Sequence, residues 1–177
     1  DKYPGWQEAY PRLGSNLPYR GVKAQMYEGG IRTPTLVNWR GTLAPRKMDH
    51  PVHVTDWMPT FTKLSEARLQ HDPQWDGTDI WPLITGEAER MDDRCIFWNF
   101  RGAAKLGVRC GDWKLISTPG ERSDEGELFN IAEDPYEEIE VSADHPEKVK
   151  DLGEMIRQQR ELDDTSRRDD VDSPLMP

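Results

Sequence analysis

The chain has 177 residues, of which 32% are charged and 35% hydrophobic, and a formal net charge of −10. That length suits one domain or a large part of one, and the composition is polar for a globule yet short of disorder, with seven tryptophans arguing for a folded core. The acidic balance argues against broad nucleic-acid binding, which needs clustered Lys and Arg against phosphates. No run of about 18 apolar residues exists to span a membrane.

The chain opens Asp1-Lys2-Tyr3-Pro4, without an initiator methionine or a recognisable signal peptide. A fragment or processed product is therefore expected. Residues 1–20 carry three prolines and two glycines with little periodicity, the mark of an irregular segment that needs a neighbour to lie against. Residues 31–39 form a short apolar run that ends in a turn and reads as a strand. Residues 41–51 read as a loop. Residues 56–69 read as a helix with Trp57, Phe61, Leu64 and Leu69 on one stripe, Thr55 or Asp56 as N-cap, and Pro59 in the first turn. A polar loop over 70–77 leads to a short helix or turn at 79–84, stopped at Gly86. The charged connector 87–94 is a candidate boundary.

Beyond it the pattern turns to strands, at 95–100, 106–117 and 128–131. The first two can form a hairpin turning near Gly102-Ala103, which sets Cys95 opposite Cys110; a bridge is possible in that register, and two buried free thiols are the expectation. Asp144-His145-Pro146-Glu147 has the form of a capped helix start, continued by Val149, Leu152, Ile156 and Gln159 at spacings of three and four. That stripe is expected to pack on the sheet. From Asp163 onward the sequence is charged and reads as a solvated or frayed tail.

The stretch most suited to chemistry is Ser15 to Pro34, with three glycines and two arginines around the single Lys23. Gly21, Gly29 and Gly30 permit tight turns or close approach. Such a loop can present Lys23 as an oriented point charge for a small oxyanion, while Arg20 and Arg32 suit bidentate clamping of an anion. The plain alternative is a solvated basic loop in which Arg32 pairs with Glu28. His53 titrates in a range suited to proton transfer or to binding an anion, and equally suits a cap before a helix. Asp56 reads as a cap, and Asp76 and Asp79 as turn formers rather than metal ligands. Phe97, Trp98, Phe100 and Trp113 read as core, with stacking on a sugar as the other use.

Four blocks in order resemble sulfatases of the arylsulfatase type. They are the Arg20-Gly21…Lys23…Glu28-Gly29-Gly30-Ile31-Arg32 stretch, His53-Val54-Thr55-Asp56-Trp57-Met58-Pro59-Thr60, Arg109-Cys110-Gly111-Asp112-Trp113-Lys114-Leu115-Ile116, and Glu127-Leu128-Phe129-Asn130 with Asp134-Pro135-Tyr136-Glu137. The resemblance implies an α/β fold: residues 1–90 complete the large sulfatase domain, and residues 91–177 form a small antiparallel sheet packed against a C-terminal helix. It implies that Lys23 contacts the sulfate group; Arg20, which could line the substrate entrance, and His53 are substrate-binding candidates by their own chemistry. It also implies Ca2+ and a formylglycine nucleophile in the full-length protein. Neither comes from this chain: no Cys/Ser-x-Pro/Ala-x-Arg motif surrounds Cys95 or Cys110, and no Asp-Asn pair precedes Lys23.

The expected partners are a sulfated small molecule or sugar and the N-terminal part of the same protein. Nucleic acid and membrane are not expected. Periplasmic or secreted localisation follows from the resemblance alone. A phosphate or phosphonate monoesterase of the wider alkaline-phosphatase-like superfamily and a non-catalytic glycan- or partner-binding module stand as alternatives. Self-association of the fragment through uncovered apolar surface is a further expectation.

Overall fold

The computed structural model describes residues 15–91, 94–100, 105–117 and 125–172, with side chains through 163. These residues fall into two compact units, those of Asp1–Thr33 with Phe97–Pro177 and those of Pro34–Ile96.

In the first unit an antiparallel sheet has the order β1 (Cys95–Phe100), β2 (Lys105–Cys110), β3 (Trp113–Ser117), β4 (Glu127–Asn130). The single strand expected over 106–117 is thus two. Gly111, at φ +58°, turns the chain back with Asp112, so that Cys110 pairs with Trp113 and Val108 with Leu115. Such a two-residue connection needs a left-handed residue, which glycine supplies without strain. The turn expected near 102–103 lies outside the described residues. Both cysteines are disulfide-bonded, contrary to the free thiols expected; neighbouring antiparallel strands can bring facing side chains within bridging distance.

Register puts Val108, Leu115 and Leu128 on one face and Arg109, Lys114 and Phe129 on the other. The first face carries α4 (Pro146–Asp172), which packs on β2 and β3 through the expected stripe: Val149, Leu152 and Ile156 are buried. Helical backbone runs through Asp172, where a solvated or frayed tail was expected from Asp163. Arg157 pairs with Glu154 and Glu161 on the exposed side, one turn away in each direction, and such spacings support a helix outside any core. On the opposite face Ile116, Phe129 and Ile131 close around Met26, with Tyr27, Ile31, Trp98 and Phe100 packed against them. The Lys23 stretch is therefore the second cover of the sheet.

In the second unit, residues 34–39 form no strand. A strand needs ladder partners, and among the described residues of this unit none lies beside the run; Leu36 is 92% exposed. The helix expected over 56–69 is α2 (Trp57–Leu64), entered through a 3-10 turn at Val54–Asp56. Glu66, at φ +52°, departs from helical geometry and ends it short of Leu69. Asp56 stands at the N-cap position of α2, as expected, though its side chain makes no cap hydrogen bond there; His53 caps the 3-10 turn before it, with Asp56 at the third position completing a capping box. The short helix α3 (Trp81–Thr85) ends at Gly86, as the sequence indicates.

Candidate functional site

The loop that carries Lys23 is closed by its own backbone. Gly29 N–H donates to the Arg20 carbonyl at 2.7 Å, Gln25 N–H to the Val22 carbonyl at 3.0 Å, and the Gln25 side-chain carbonyl accepts from Val22 N–H at 2.9 Å. Closure this tight requires the glycine pair. A Cβ at Gly29 would stand 2.6 Å from the Arg20 carbonyl oxygen, and one at Gly30 2.2 Å from that of Gln25. Glu28 then opens the short helix α1 (Glu28–Ile31), capped by Arg32 N–H donating to the Glu28 carbonyl at 2.8 Å. Lys23 sits exposed in this loop, next to Ala24 in left-handed backbone at φ +74°.

Beneath the loop lies a buried charge cluster. The Lys114 side chain, on the Phe129 face of β3, is fully buried, and its Nζ lies 2.9 Å from Glu28 Oε1 and 2.7 Å from Glu137 Oε1. Glu137 Oε2 accepts from Glu28 N–H at 2.6 Å. Burial pushes the Glu137 carboxyl above its usual range, and the Lys114 ammonium opposes that shift. The other Glu28 oxygen faces Arg32 at 3.7 Å and Arg109 at 3.8 Å, so the two carboxylates are met by more than one cation. The expected Arg32–Glu28 pair exists, but only at the rim of a larger cluster.

Arg20 is turned toward the same cluster. Its Nη1 donates to the Glu137 carbonyl at 3.0 Å and its Nη2 to Tyr27 Oη at 3.2 Å, with Glu127 at 3.4 Å and the guanidinium 4.0 Å over the Tyr27 ring. Tyr27 Oη in turn donates to Glu127 at 2.5 Å, and burial, then Glu127, push its pKa up to about 12. Alongside runs an open cleft of about 810 Å³ lined by residues 15–22 and 136–138, with the Tyr19 and Tyr136 rings 5.8 Å apart at its wall.

Lys23 and Arg20 thus share one loop, while His53 belongs to the second unit. There its Nδ1 lies 2.9 Å from Thr55 Oγ1 and its main-chain N–H donates to Asp56 Oδ2 at 2.6 Å. Burial lowers the imidazole pKa, against the pull of Asp56. Asp56 is more than a cap: it is fully buried, and its Oδ1 accepts from Thr78 N–H at 3.1 Å and from Arg94 at 2.5 Å. Asp79 shapes a turn by accepting from Trp81 N–H at 2.9 Å and pairs with Lys63 at 2.8 Å. Of the aromatic set, Trp98 and Phe100 pack on the core and Trp113 lies edge-on to His145.

The family described as N-sulphoglucosamine sulphohydrolase, C-terminal, matches residues 22–164. The chain belongs to this sulfatase family. Mouse arylsulfatase J is 31% identical over 82% of the chain and 32% of its own length, and human steryl-sulfatase is 42% identical over 48% of the chain and 15% of its own. The crystal structure of Ps i-CgsB superposes with a TM-score of 0.70 at 27% identity, over 84% of this chain and 32% of that one. The chain spans about a third of the length of arylsulfatase J and of Ps i-CgsB.

Sulfatases use a formylglycine and a divalent metal, and the described residues fit neither. Both cysteines are taken up in disulfide bonding, and among the described residues no group of three or more His, Cys, Asp or Glu is placed to hold a metal ion. No helix among them is long and apolar enough to cross a membrane.

Proposed function

We propose that this chain is the C-terminal part of a sulfatase that hydrolyses sulfate esters, aryl or carbohydrate, and that it supplies Lys23 as the cation that contacts the sulfate group. What carries the reading is the presentation of Lys23: an exposed ammonium on a loop closed by its own hydrogen bonds and anchored on a buried charge cluster. A cation fixed where negative charge develops lowers the barrier more than it aids binding, because it need not reorganise during the reaction. The nucleophile and the metal, Ca2+ by resemblance, are supplied elsewhere in the full-length protein, and the isolated chain is inactive.

His53 is retained as a substrate-binding candidate. The hydrogen bonds of Arg20 support a role in holding the loop rather than in touching substrate. Residues 1–90 are proposed to complete the large catalytic domain, with 91–177 as the small subdomain; the exposed Leu36, Val37, Trp39 and Phe61 support an unfinished surface there. Similarity to an N-acetylgalactosamine-6-O-sulfatase of Bacteroides thetaiotaomicron, 26% identical over 86% of the chain, favours a sulfated sugar as substrate; a secreted or periplasmic setting is proposed on the family resemblance alone.

The test is hydrolysis of a chromogenic aryl sulfate and of a sulfated monosaccharide, with added calcium, by the full-length protein and its Lys23→Ala variant. Activity in the full-length protein, lost by about two orders of magnitude or more in the variant, is expected for a charge-stabilising contact. Undiminished activity in the variant contradicts the reading.

A further inference from the structure

Three segments far apart in sequence meet at one buried point. Glu28 comes from the Glu-Gly-Gly-x-Arg stretch, Lys114 from Gly-Asp-Trp-Lys, and Glu137 from Asp-Pro-x-Glu. Glu137 has the most to explain. It is fully buried, yet its backbone is left-handed at φ +58°, a conformation that glycine adopts without strain and glutamate does not. A glycine there would relieve the backbone but remove the carboxylate.

That carboxylate and the carbonyl of the same residue make three directed contacts. Oε1 meets Lys114 Nζ at 2.7 Å, Oε2 accepts from Glu28 N–H at 2.6 Å, and the main-chain oxygen accepts from Arg20 Nη1 at 3.0 Å. One contact ties Glu137 to the sheet. The other two grip the loop at positions 20 and 28, on either side of Lys23. Burying this many charges is a poor route to stability, because desolvation offsets most of the attraction and an apolar filling of the same volume serves as well. An apolar side chain, however, can neither accept from the Glu28 amide nor hold a fixed distance to Lys114. The cluster therefore sets geometry.

We propose that Glu137 is a positioning residue for Lys23, gripping both ends of the Lys23 loop and fixing it to β3 through Lys114. The inference rests on the reading of Lys23 as the sulfate-contacting cation.

The test is a double-mutant cycle in the full-length enzyme with Glu137→Gln, Lys23→Ala and the double variant. Turnover is taken per folded molecule, with the folded fraction measured by circular dichroism and thermal melting. Glutamine has one acceptor oxygen where glutamate has two, so it cannot serve Lys114 and the Glu28 amide together. Turnover is expected to fall about tenfold or more in the Glu137→Gln variant when Lys23 is present, and to change less than about twofold when Lys23 is already alanine, as coupled residues require. A wild-type turnover in folded Glu137→Gln enzyme, or a loss that persists in full without Lys23, overturns the proposal while leaving the role of Lys23 standing. Full activity in Lys23→Ala removes the underlying reading and the proposal with it. Should Glu137→Gln not fold, Arg20→Gln replaces it in the same cycle, since Arg20 lies at the surface and loosens only the outer grip.

Discussion

The two units solve the problem of polar and apolar placement in opposite ways. In the unit of residues 15–33 and 97–172, a sheet is covered on one face by α4 and on the other by the Lys23 stretch, and even charged side chains are buried because they meet partners. In the unit of residues 34–96, the polar centre is equally well knit: Asp56 binds His53, Thr78 and Arg94, and Thr60 Oγ1 links the Asp56 carbonyl at 2.6 Å to Ile80 N–H at 3.0 Å. Its apolar residues, by contrast, stand open. Trp39 and Phe61 are about half exposed and Leu36 almost wholly so, and with Trp57, Leu64 and Trp81 several of them line a groove of about 450 Å³. Contiguous apolar surface of that kind marks an interaction face, a ligand groove or a site of self-association. Stability in the first unit thus rests on contacts that close both faces of its sheet, whereas the second is closed at its centre and open at its face.

The sharpest way to break this contrast is Lys114→Met in the full-length protein. It leaves Glu28 and Glu137 buried without their ammonium and is expected to cost about 3–5 kcal/mol of unfolding free energy, read by denaturant titration. Next comes a matched pair of truncations. Leu115→Ala at the fully buried centre of β3 is expected to cost about 2–5 kcal/mol. In the isolated chain, Phe61→Ser at the open face is expected to change stability by no more than about 0.5 kcal/mol while reducing self-association seen by light scattering. Equal costs at the two positions contradict the distinction.

The smallest expected effect is a pH dependence. Burial holds the folded His53 pKa below its unfolded value, so the unfolded chain takes up a proton first as pH falls. Stability is then fully present above about pH 6.5 and declines as pH falls from there through the lower folded value. Thermal midpoints measured from about pH 7.5 to 5.5 check this, with His53→Gln expected to flatten the slope over that window.

Much of this architecture was legible in the chain itself, and the exceptions share a cause. Helix α4 was readable because its signals are local: Pro146 in the first turn, Glu147 as a capping residue, and Val149, Leu152 and Ile156 at helical spacing. The turn at Gly111-Asp112 was missed, although a glycine and an aspartate inside an apolar run are a turn signal. Residues 31–39 carried a genuine strand pattern, but a pattern does not supply the neighbour a strand pairs with. In the loop, Lys23, Arg20 and the Arg32–Glu28 pair could be picked out from spacing and resemblance. Lys114 and Glu137 stood in the resembling blocks without a role, since nothing local reveals that β3 and the 134–137 turn converge on Glu28. The aromatic set shows the converse: of Phe97, Trp98, Phe100 and Trp113, read as core from pattern alone, Trp98 and Phe100 are half-buried and pack against the core.

The most direct measurement is amide hydrogen exchange in the full-length protein, comparing the wild type with Glu137→Gln over residues 20–31 and over α4. If the buried charge cluster holds the Lys23 loop, exchange at Glu28 and Gly29 rises about tenfold or more in the variant while α4 is unchanged, the mark of local rather than global opening. Unchanged protection in the loop, or an equal rise in the loop and in α4, contradicts the account.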